Sequence, residues 1–151
     1  MPETATRGRI ENGAHYMPLR VYYEDTDASG IVYYANYLKF IERARTDLMR
    51  LVGITHSEMV RTSGLAFAVR HCHIDYHMPA RLDDEIEVVT RILDVRGASL
   101  DAEQNVRRGA DNLVSTNLQI ACIDSGGRAR RLPKEIRAAL LDLAPLTVTT
   151  Q

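Results

Sequence analysis

Three segments in the second half of the chain alternate apolar and polar residues, and this pattern constrains the fold most. In residues 84–92 every second residue from Ile86 to Ile92 is apolar or threonine, whereas charged residues fill most of the positions between them. Segments 100–106 and 114–122 repeat the pattern. A period of two residues is typical of a β-strand with one buried face. Because the links between these segments are short and contain glycine, the three strands are predicted to be antiparallel neighbours.

A long amphipathic helix is predicted before these strands. Apolar residues recur every three or four positions from Tyr37 to Val52, and Gly53 supplies a natural helix end. Residues 17–24 predict one strand before the helix, and the stretch 65–80 predicts another after it. The order of strand, long helix and four antiparallel strands predicts an α+β fold in which a five-stranded sheet wraps around one central helix.

A single domain is predicted for residues 15–145, because 151 residues is the size of one ordinary domain. Residues 1–14 lack apolar periodicity and predict a disordered N-terminal arm, and residues 146–151 predict a C-terminal tail. Within the domain, residues 54–63 predict a short helix or an ordered loop. Pro133 is expected to begin a final helix.

Composition excludes several classes of protein. The chain is 45% hydrophobic and 26% charged, as in globular domains, which argues against a disordered chain or a disulfide scaffold. Its net charge is −1, so no nucleic-acid partner is expected. Cys72 and Cys122 have no metal-ligand spacing, and no segment reaches the roughly 18 apolar residues of a membrane span. We therefore expect a cytoplasmic protein without an integral membrane segment.

Residues 22–37 form the stretch most suggestive of chemistry. Six of the seven tyrosines lie between positions 16 and 37, around the acidic pair Asp25 and Asp27. Aromatic side chains beside a carboxylate are typical of a pocket with one polar catalytic group. The same residues also fit a structural role, in which the aspartates build a turn and cap the helix while the tyrosines pack. The local pattern alone leaves both interpretations open and favours the structural one.

Two metal sites are possible alternatives. Residues 25–30 match the first half of a calcium-binding loop, but Asn36 stands where a bidentate glutamate is required. Four potential zinc ligands share one side of the predicted strand 65–80, although no further ligand spacing supports a site. These four residues are His71, His73, Asp75 and His77. The chain has no G-x-S-x-G nucleophile motif.

Two stretches carry a resemblance to a known family. They are VYYEDTDASGIVYYANYLKFIERARTDLM at residues 21–49 and RHCHIDYHMPARLDDEIEV at residues 70–88. Both resemble the 4-hydroxybenzoyl-CoA thioesterase family of hotdog-fold acyl-CoA thioesterases, and within it the small Tol-Pal-associated bacterial enzymes. The resemblance extends from about Arg20 to Leu132. It implies a hotdog fold, hydrolysis of an acyl-CoA without metal or organic cofactor, and a homodimer or homotetramer; acyl carrier protein remains open as the carrier.

The resemblance also implies roles for individual residues. Asp27 would be the catalytic carboxylate, and the backbone N–H near Tyr34 would polarise the thioester carbonyl. A thioester is electrophilic enough for a carboxylate to attack it or to activate water, and the N–H groups at a helix N-terminus stabilise an oxyanion. Asn36 is predicted to cap the helix or to order the water.

Further residues are predicted to bind the substrate. Tyr33 is expected to contact the substrate, and Arg96, Arg130 and Arg131 are expected to bind the phosphates of coenzyme A. Solvated surface arginines are an equally good explanation of these three. The chain departs from its relatives at Ser29, where glycine is frequent, and at Tyr34, where many have histidine. The rival function is a non-catalytic hotdog protein that binds acyl groups or a protein partner.

Overall fold

The computed structural model describes residues 8–145, which form six strands and three α-helices. The elements are β1 (Arg9–Glu11), β2 (Ala14–Arg20), α1 (Asn36–Leu51), α2 (His56–Ser63), β3 (Ala66–Tyr76), β4 (Glu85–Val95), β5 (Ser99–Arg108), β6 (Asp111–Ile123) and α3 (Lys134–Leu143). One turn of 3-10 helix, Tyr23–Asp25, lies between β2 and α1. The long central helix is present as predicted, and residues 54–63 contain the short helix α2.

All six strands belong to one antiparallel sheet with the order β1-β2-β4-β5-β6-β3. On β4, β5 and β6 the alternating residues predicted to face the core are buried. The helix α1 packs against this face through Tyr37, Phe40, Ile41, Ala44 and Leu48. The α+β hotdog architecture is therefore confirmed, with six strands in place of five.

The sixth strand, β1, arises where a disordered arm was predicted. Arg9 pairs with Tyr16 and Glu11 with Ala14, so β1 and β2 form a hairpin across Asn12 and Gly13. Both turn residues have positive φ, 51° and 77°, as an Asn-Gly hairpin turn requires. Ordered structure thus begins earlier than predicted, because this hairpin depends on turn chemistry and cross-strand pairs, which a search for apolar periodicity does not detect. Residues 1–7 of the predicted arm, and the predicted tail 146–151, lie outside the described residues.

A buried polar network joins α1 to the middle of the sheet. Gln104 of β5 is fully buried, and its Nε2 donates to the carbonyl of Ile41 and to Oγ1 of Thr90, both at 2.9 Å. Its Oε1 accepts a hydrogen bond from Nη1 of Arg45, also at 2.9 Å. Every polar atom of the Gln104 side chain is therefore partnered, as burial demands. The network fixes the height and rotation of α1 on the sheet.

No helix within residues 8–145 combines the length and the apolar character needed to cross a membrane.

Candidate active site

The loop between β2 and α1, residues 21–35, is closed by Asp25. One carboxylate oxygen of Asp25 accepts the backbone N–H of Tyr22 at 2.9 Å, and the other accepts Nδ2 of Asn36 at 2.9 Å. The carbonyl oxygen of Asp25 accepts the backbone N–H of Tyr33 at 3.0 Å. Asp25 therefore uses both carboxylate oxygens to hold the two ends of this active-site loop, which is a structural role.

Asp27 has a different environment two residues further on. Its Oδ1 accepts the backbone N–H of Ser29 at 2.8 Å, and its carbonyl accepts the N–H of Gly30 at 3.0 Å. This Asx turn fits the structural interpretation of the sequence, but the side chain of Asp27 is exposed. Within residues 8–145 no side chain or backbone group donates to Oδ2. The loop thus presents a carboxylate whose direction is fixed and whose second oxygen is available to a ligand.

Asp27 and Tyr34 are brought to one part of the molecule by the way the loop folds back. Residues 25–27 run antiparallel to residues 31–33, since Thr26 forms a bridge with Val32 and the N–H of Asp27 donates to the carbonyl of Ile31 at 2.9 Å. Tyr34 follows directly on the second of these segments.

The backbone N–H of Tyr34 has no acceptor among the residues described. Tyr34 precedes α1 by two residues, in a turn closed by the hydrogen bond from the N–H of Asn36 to the carbonyl of Tyr33 at 2.8 Å. The candidate donor therefore lies in the turn that leads into α1, just before the first helical residue. The first turn of α1 contains no acidic residue that would neutralise its N-terminal partial charge.

Asn36 does not cap α1, contrary to one of the two roles predicted for it. It is the first helical residue and is buried, and its amide donates to Asp25. The capping position belongs to Ala35, whose side chain cannot accept a hydrogen bond. A residue inside the helix cannot easily direct its side chain back to the first backbone N–H groups of that helix. The local sequence does not show at which residue the helix begins.

Four tyrosine rings surround the entry to α1. Tyr33 and Tyr34 have ring centroids 4.9 Å apart, and the ring of Tyr76 meets Tyr34 edge-on at 6.2 Å and Tyr37 at 5.7 Å. The hydroxyl of Tyr76 donates to the carbonyl of Tyr34 at 3.0 Å and so joins the end of β3 to this turn. Burial raises the pKa of Tyr37, whose hydroxyl oxygen accepts the N–H of Ala80 at 2.9 Å. Tyr76 was not among the predicted site residues, although it lies inside the second stretch that resembles the family.

The three predicted phosphate-binding arginines lie at the opposite end of the sheet from Asp27. The active-site loop contacts the start of β4, where the N–H of Val21 donates to the carbonyl of Asp84, whereas Arg96 follows the end of β4. At about 3.3 Å per residue, the length of β4 separates the two ends by roughly 30 Å. One chain therefore does not bring Asp27 and these arginines together.

Two of these arginines already bind carboxylates. The guanidinium of Arg96 binds both oxygens of Asp101, at 2.7 and 2.6 Å, and Asp94 at 3.0 Å. This ion pair raises the pKa of Arg96 and lowers that of Asp101. Arg130 binds Asp124 at 3.0 Å. Arg131 lies beside Gly97 and, in the described part of the chain, has no carboxylate partner.

A cavity of about 640 Å³ also lies away from Asp27. It is bounded by the second half of α1, the start of α2 and the strands β3 and β6. Its lining residues are Glu42, Arg45, Thr46, Met49, Arg50, Ile54, Thr55, His56, Ser57, Phe67, Val69 and Ile120. Phe67 pairs with Cys122, whose carbonyl accepts the N–H of Arg130, so the cavity opens near the end of the sheet that carries Arg130 and Arg131.

The four potential zinc ligands on β3 and just after it do not converge. Nε2 of His73 lies 3.2 Å from a carboxylate oxygen of Asp75, and Nε2 of His77 lies 3.1 Å from Oγ of Ser115. Across residues 8–145 no group of three or more histidine, cysteine or acidic side chains is arranged to hold a metal ion.

Comparison with known proteins identifies the family. The family model described as the thioesterase-like superfamily matches residues 21–140. The chain belongs to this superfamily. The acyl-CoA thioesterase YbgC of Haemophilus influenzae is 42% identical over 131 residues, covering 86% of this chain and 96% of that protein. The acyl-CoA thioester hydrolase YbgC of Escherichia coli is 41% identical over 123 residues, covering 80% and 91%.

A solved structure supports the same assignment. The probable thioesterase from Bartonella henselae has a TM-score of 0.75 and 39% sequence identity, and the match covers 80% of this chain and 99% of that one. The predicted hotdog fold and the prediction of a thioester hydrolase are thereby confirmed. The association with Tol-Pal stays a prediction.

Proposed function

We propose that this thioesterase hydrolyses acyl-CoA thioesters to the free acid and coenzyme A, with Asp27 as the catalytic carboxylate. One observation carries the proposal: the active-site loop holds an exposed carboxylate beside a turn whose backbone N–H, that of Tyr34, is unpaired among the described residues. The names of the YbgC relatives supply the acyl-CoA substrate class. A cytoplasmic location remains our prediction.

The chemistry needs two groups. The carboxylate of Asp27 either attacks the thioester carbon, forming a mixed anhydride that water then hydrolyses, or removes a proton from the attacking water. In both routes negative charge develops on the carbonyl oxygen, where the N–H of Tyr34 would donate a hydrogen bond to it. The thiolate of coenzyme A leaves without requiring a strong acid. Asn36 contributes through Asp25, by fixing the loop that carries Asp27.

We further propose that the working site needs a second copy of the chain. Among residues 8–145 the strand β3 pairs with β6 alone, which leaves one long edge open, and open edges are commonly covered. One end of β3 carries Tyr76 beside the turn at Tyr34, whereas the other carries Phe67 at the cavity. A two-fold antiparallel pairing of β3 with its copy would bring the cavity of one chain to the Asp27 end of the other.

This pairing would also bring in the predicted phosphate-binding arginines from the second copy. Arg131 is the strongest candidate for phosphate binding among the three, because Arg96 and Arg130 already bind carboxylates. Tyr33, half exposed beside Tyr34, is proposed to contact the substrate at the seam.

The proposed activity is tested by following thiol release from short, long and aromatic acyl-CoAs, with the matching acyl carrier protein thioesters measured in parallel. Turnover of at least one acyl-CoA is expected. Acyl-CoA binding without thiol release would favour the non-catalytic alternative. A preference for the carrier-protein thioesters would change the carrier while leaving the chemistry in place.

A further inference from the structure

Arg45 is a half-buried arginine in the wall of the cavity. It lies on α1, and Nη1 donates to Oε1 of Gln104 at 2.9 Å. The orientation of Gln104 is fixed by its own hydrogen bonds to Ile41 and Thr90, so its oxygen is held toward the guanidinium. Burial lowers the pKa of Arg45. The guanidinium nevertheless stays charged, because its ordinary pKa lies far above neutrality.

No carboxylate in residues 8–145 forms an ion pair with Arg45. The acidic residue whose charge acts most on it is Glu42, which lies one turn earlier, but Glu42 is exposed and outside ion-pair distance. A guanidinium carries five N–H donors in a rigid fork that fits a carboxylate, and Gln104 occupies one of them. Removing a cation from water without pairing it is costly. A cation held this way beside an open cavity is therefore suited to an anion supplied by a ligand.

The other cavity walls restrict the ligand further. Met49, Ile54, Phe67, Val69 and Ile120 provide an apolar surface. The charged or titratable groups besides Arg45 are Glu42, Arg50 and His56, so cationic groups outnumber the single carboxylate. An apolar wall facing a cation fits a carbon chain that ends in an oxyanion. It fits a coenzyme A phosphate less well, because a phosphate has no apolar part to cover.

We propose that the cavity binds the acyl part of the substrate and that Arg45 selects acyl groups whose far end carries a carboxylate. This inference rests on the proposed hydrolysis of acyl-CoA thioesters. Arg45 acts here as a specificity-determining residue, since the group that it binds is remote from the thioester. Binding of a remote group is expressed mainly in KM and in the choice between substrates.

The test compares glutaryl-CoA with hexanoyl-CoA, which have similar length and differ in the terminal carboxylate. The wild-type protein is expected to show a kcat/KM at least tenfold higher for glutaryl-CoA. In Arg45→Gln this ratio is expected to fall at least tenfold, mainly through the KM for glutaryl-CoA. Arg45→Lys, which keeps the charge, should retain part of the preference. Arg43→Gln is the matched control, because Arg43 is an exposed arginine of α1 outside this cavity, and it should leave the ratio unchanged.

A second measurement does not depend on turnover. Calorimetric titration of the wild-type protein with glutarate and with hexanoate should detect tighter binding of glutarate, and Arg45→Gln should lose that difference. Equal use of the two CoA esters, or a ratio that survives Arg45→Gln, would overturn the proposal. An equal rise in KM for both esters, together with weaker binding of free coenzyme A, would assign Arg45 to a phosphate and would also overturn it. If no acyl-CoA is hydrolysed, the proposed function fails, and the titration still decides on the anion site.

Discussion

Asp25 and Asp27 are two residues apart and carry the same functional group, yet their surroundings give them different roles. Both carboxylate oxygens of Asp25 accept hydrogen bonds, from the Tyr22 N–H and from Asn36, whereas Asp27 uses one oxygen for Ser29. Because both of its carboxylate oxygens accept hydrogen bonds, Asp25 holds the active-site loop in place. In the proposed mechanism Asp27 is the reactive member of the pair, because its second oxygen accepts no hydrogen bond from residues 8–145.

Asp25→Asn is expected to cost more stability than Asp27→Asn. An amide at position 25 would point its NH₂ group at one of two donors, and a mismatch of this kind costs about 1–3 kcal/mol. At position 27 the amide oxygen can still accept from Ser29. Urea unfolding of both variants measures the difference in the free energy of unfolding. Equal stability of the two would show that Asp25 does not hold the loop, and Asp25→Asn should reduce turnover less than Asp27→Asn does.

The pair Tyr34→Phe and Tyr34→Pro separates the backbone from the side chain. Proline deletes the N–H of residue 34 but suits this position, since residue 34 is the second residue of the turn closed between Tyr33 and Asn36. If the N–H polarises the carbonyl, Tyr34→Phe should keep most activity and Tyr34→Pro should lose about 10²–10³ in turnover. Circular dichroism checks that both variants fold. An inactive Tyr34→Phe variant together with an active Tyr34→Pro variant would assign the catalytic contribution of Tyr34 to its phenol.

The turn between β4 and β5 predicts a pH-dependent contribution to stability. The guanidinium of Arg96 holds the pKa of Asp101 below its ordinary value. A carboxyl whose pKa is lowered in the folded state stabilises the protein above its unfolded pKa, near 3.9, and loses this contribution as the pH falls through the folded value. Arg96→Gln should therefore cost about 0.5–1 kcal/mol at pH 7, because both side chains are partly exposed.

The cost of Arg96→Gln should decrease toward zero as the pH falls from 7 to below the ordinary aspartate pKa, about 3.9. Urea unfolding of both proteins across that range makes the comparison. A cost that stays constant with pH would mean that the ion pair does not contribute. Arg96→Gln also tests the predicted contact between Arg96 and coenzyme A. A higher KM for acyl-CoA, with an unchanged free energy of unfolding, would favour a role in substrate binding.

Sequence periodicity was sufficient for the elements that bury one regular face. The long helix and the alternating faces of β4, β5 and β6 follow the predicted spacing. In these elements the position of a residue in the repeat decides whether its side chain faces the core or the solvent. The strand β1 has no buried residue, so its signal was the Asn12-Gly13 turn. Positions that depend on distant partners could not be predicted locally: Asn36 binds Asp25, and Tyr76 binds the carbonyl of Tyr34 across 42 positions.

The spatial arrangement of the candidate site could not be predicted from the sequence either. Position in the chain gave Arg96, Arg130 and Arg131 as neighbours of the substrate, but the topology places them at the end of the sheet opposite Asp27. Only a fold with known strand order shows this separation. Because of this separation, the proposed site requires the homodimer or homotetramer that was expected.

Assembly is therefore expected to be tied to activity. Light scattering at micromolar concentration should give a mass of two or four times 17.0 kDa. The open edge of β3 and the separation between Asp27 and the cavity are the physical reasons. A mass near 17.0 kDa in a sample that hydrolyses acyl-CoA would contradict the shared site and would require one chain to bind the whole substrate.

The most direct test of the proposed chemistry is the turnover of Asp27→Asn on the best acyl-CoA found for the wild-type protein. Asparagine keeps the shape of the side chain and the hydrogen bond from Ser29, and it removes the charge. Thiol release under saturating substrate should fall by about a hundredfold or more, with folding and assembly unchanged, as expected for the loss of a positioned base or nucleophile. A folded Asp27→Asn variant that releases thiol at the wild-type rate would remove Asp27 from the mechanism.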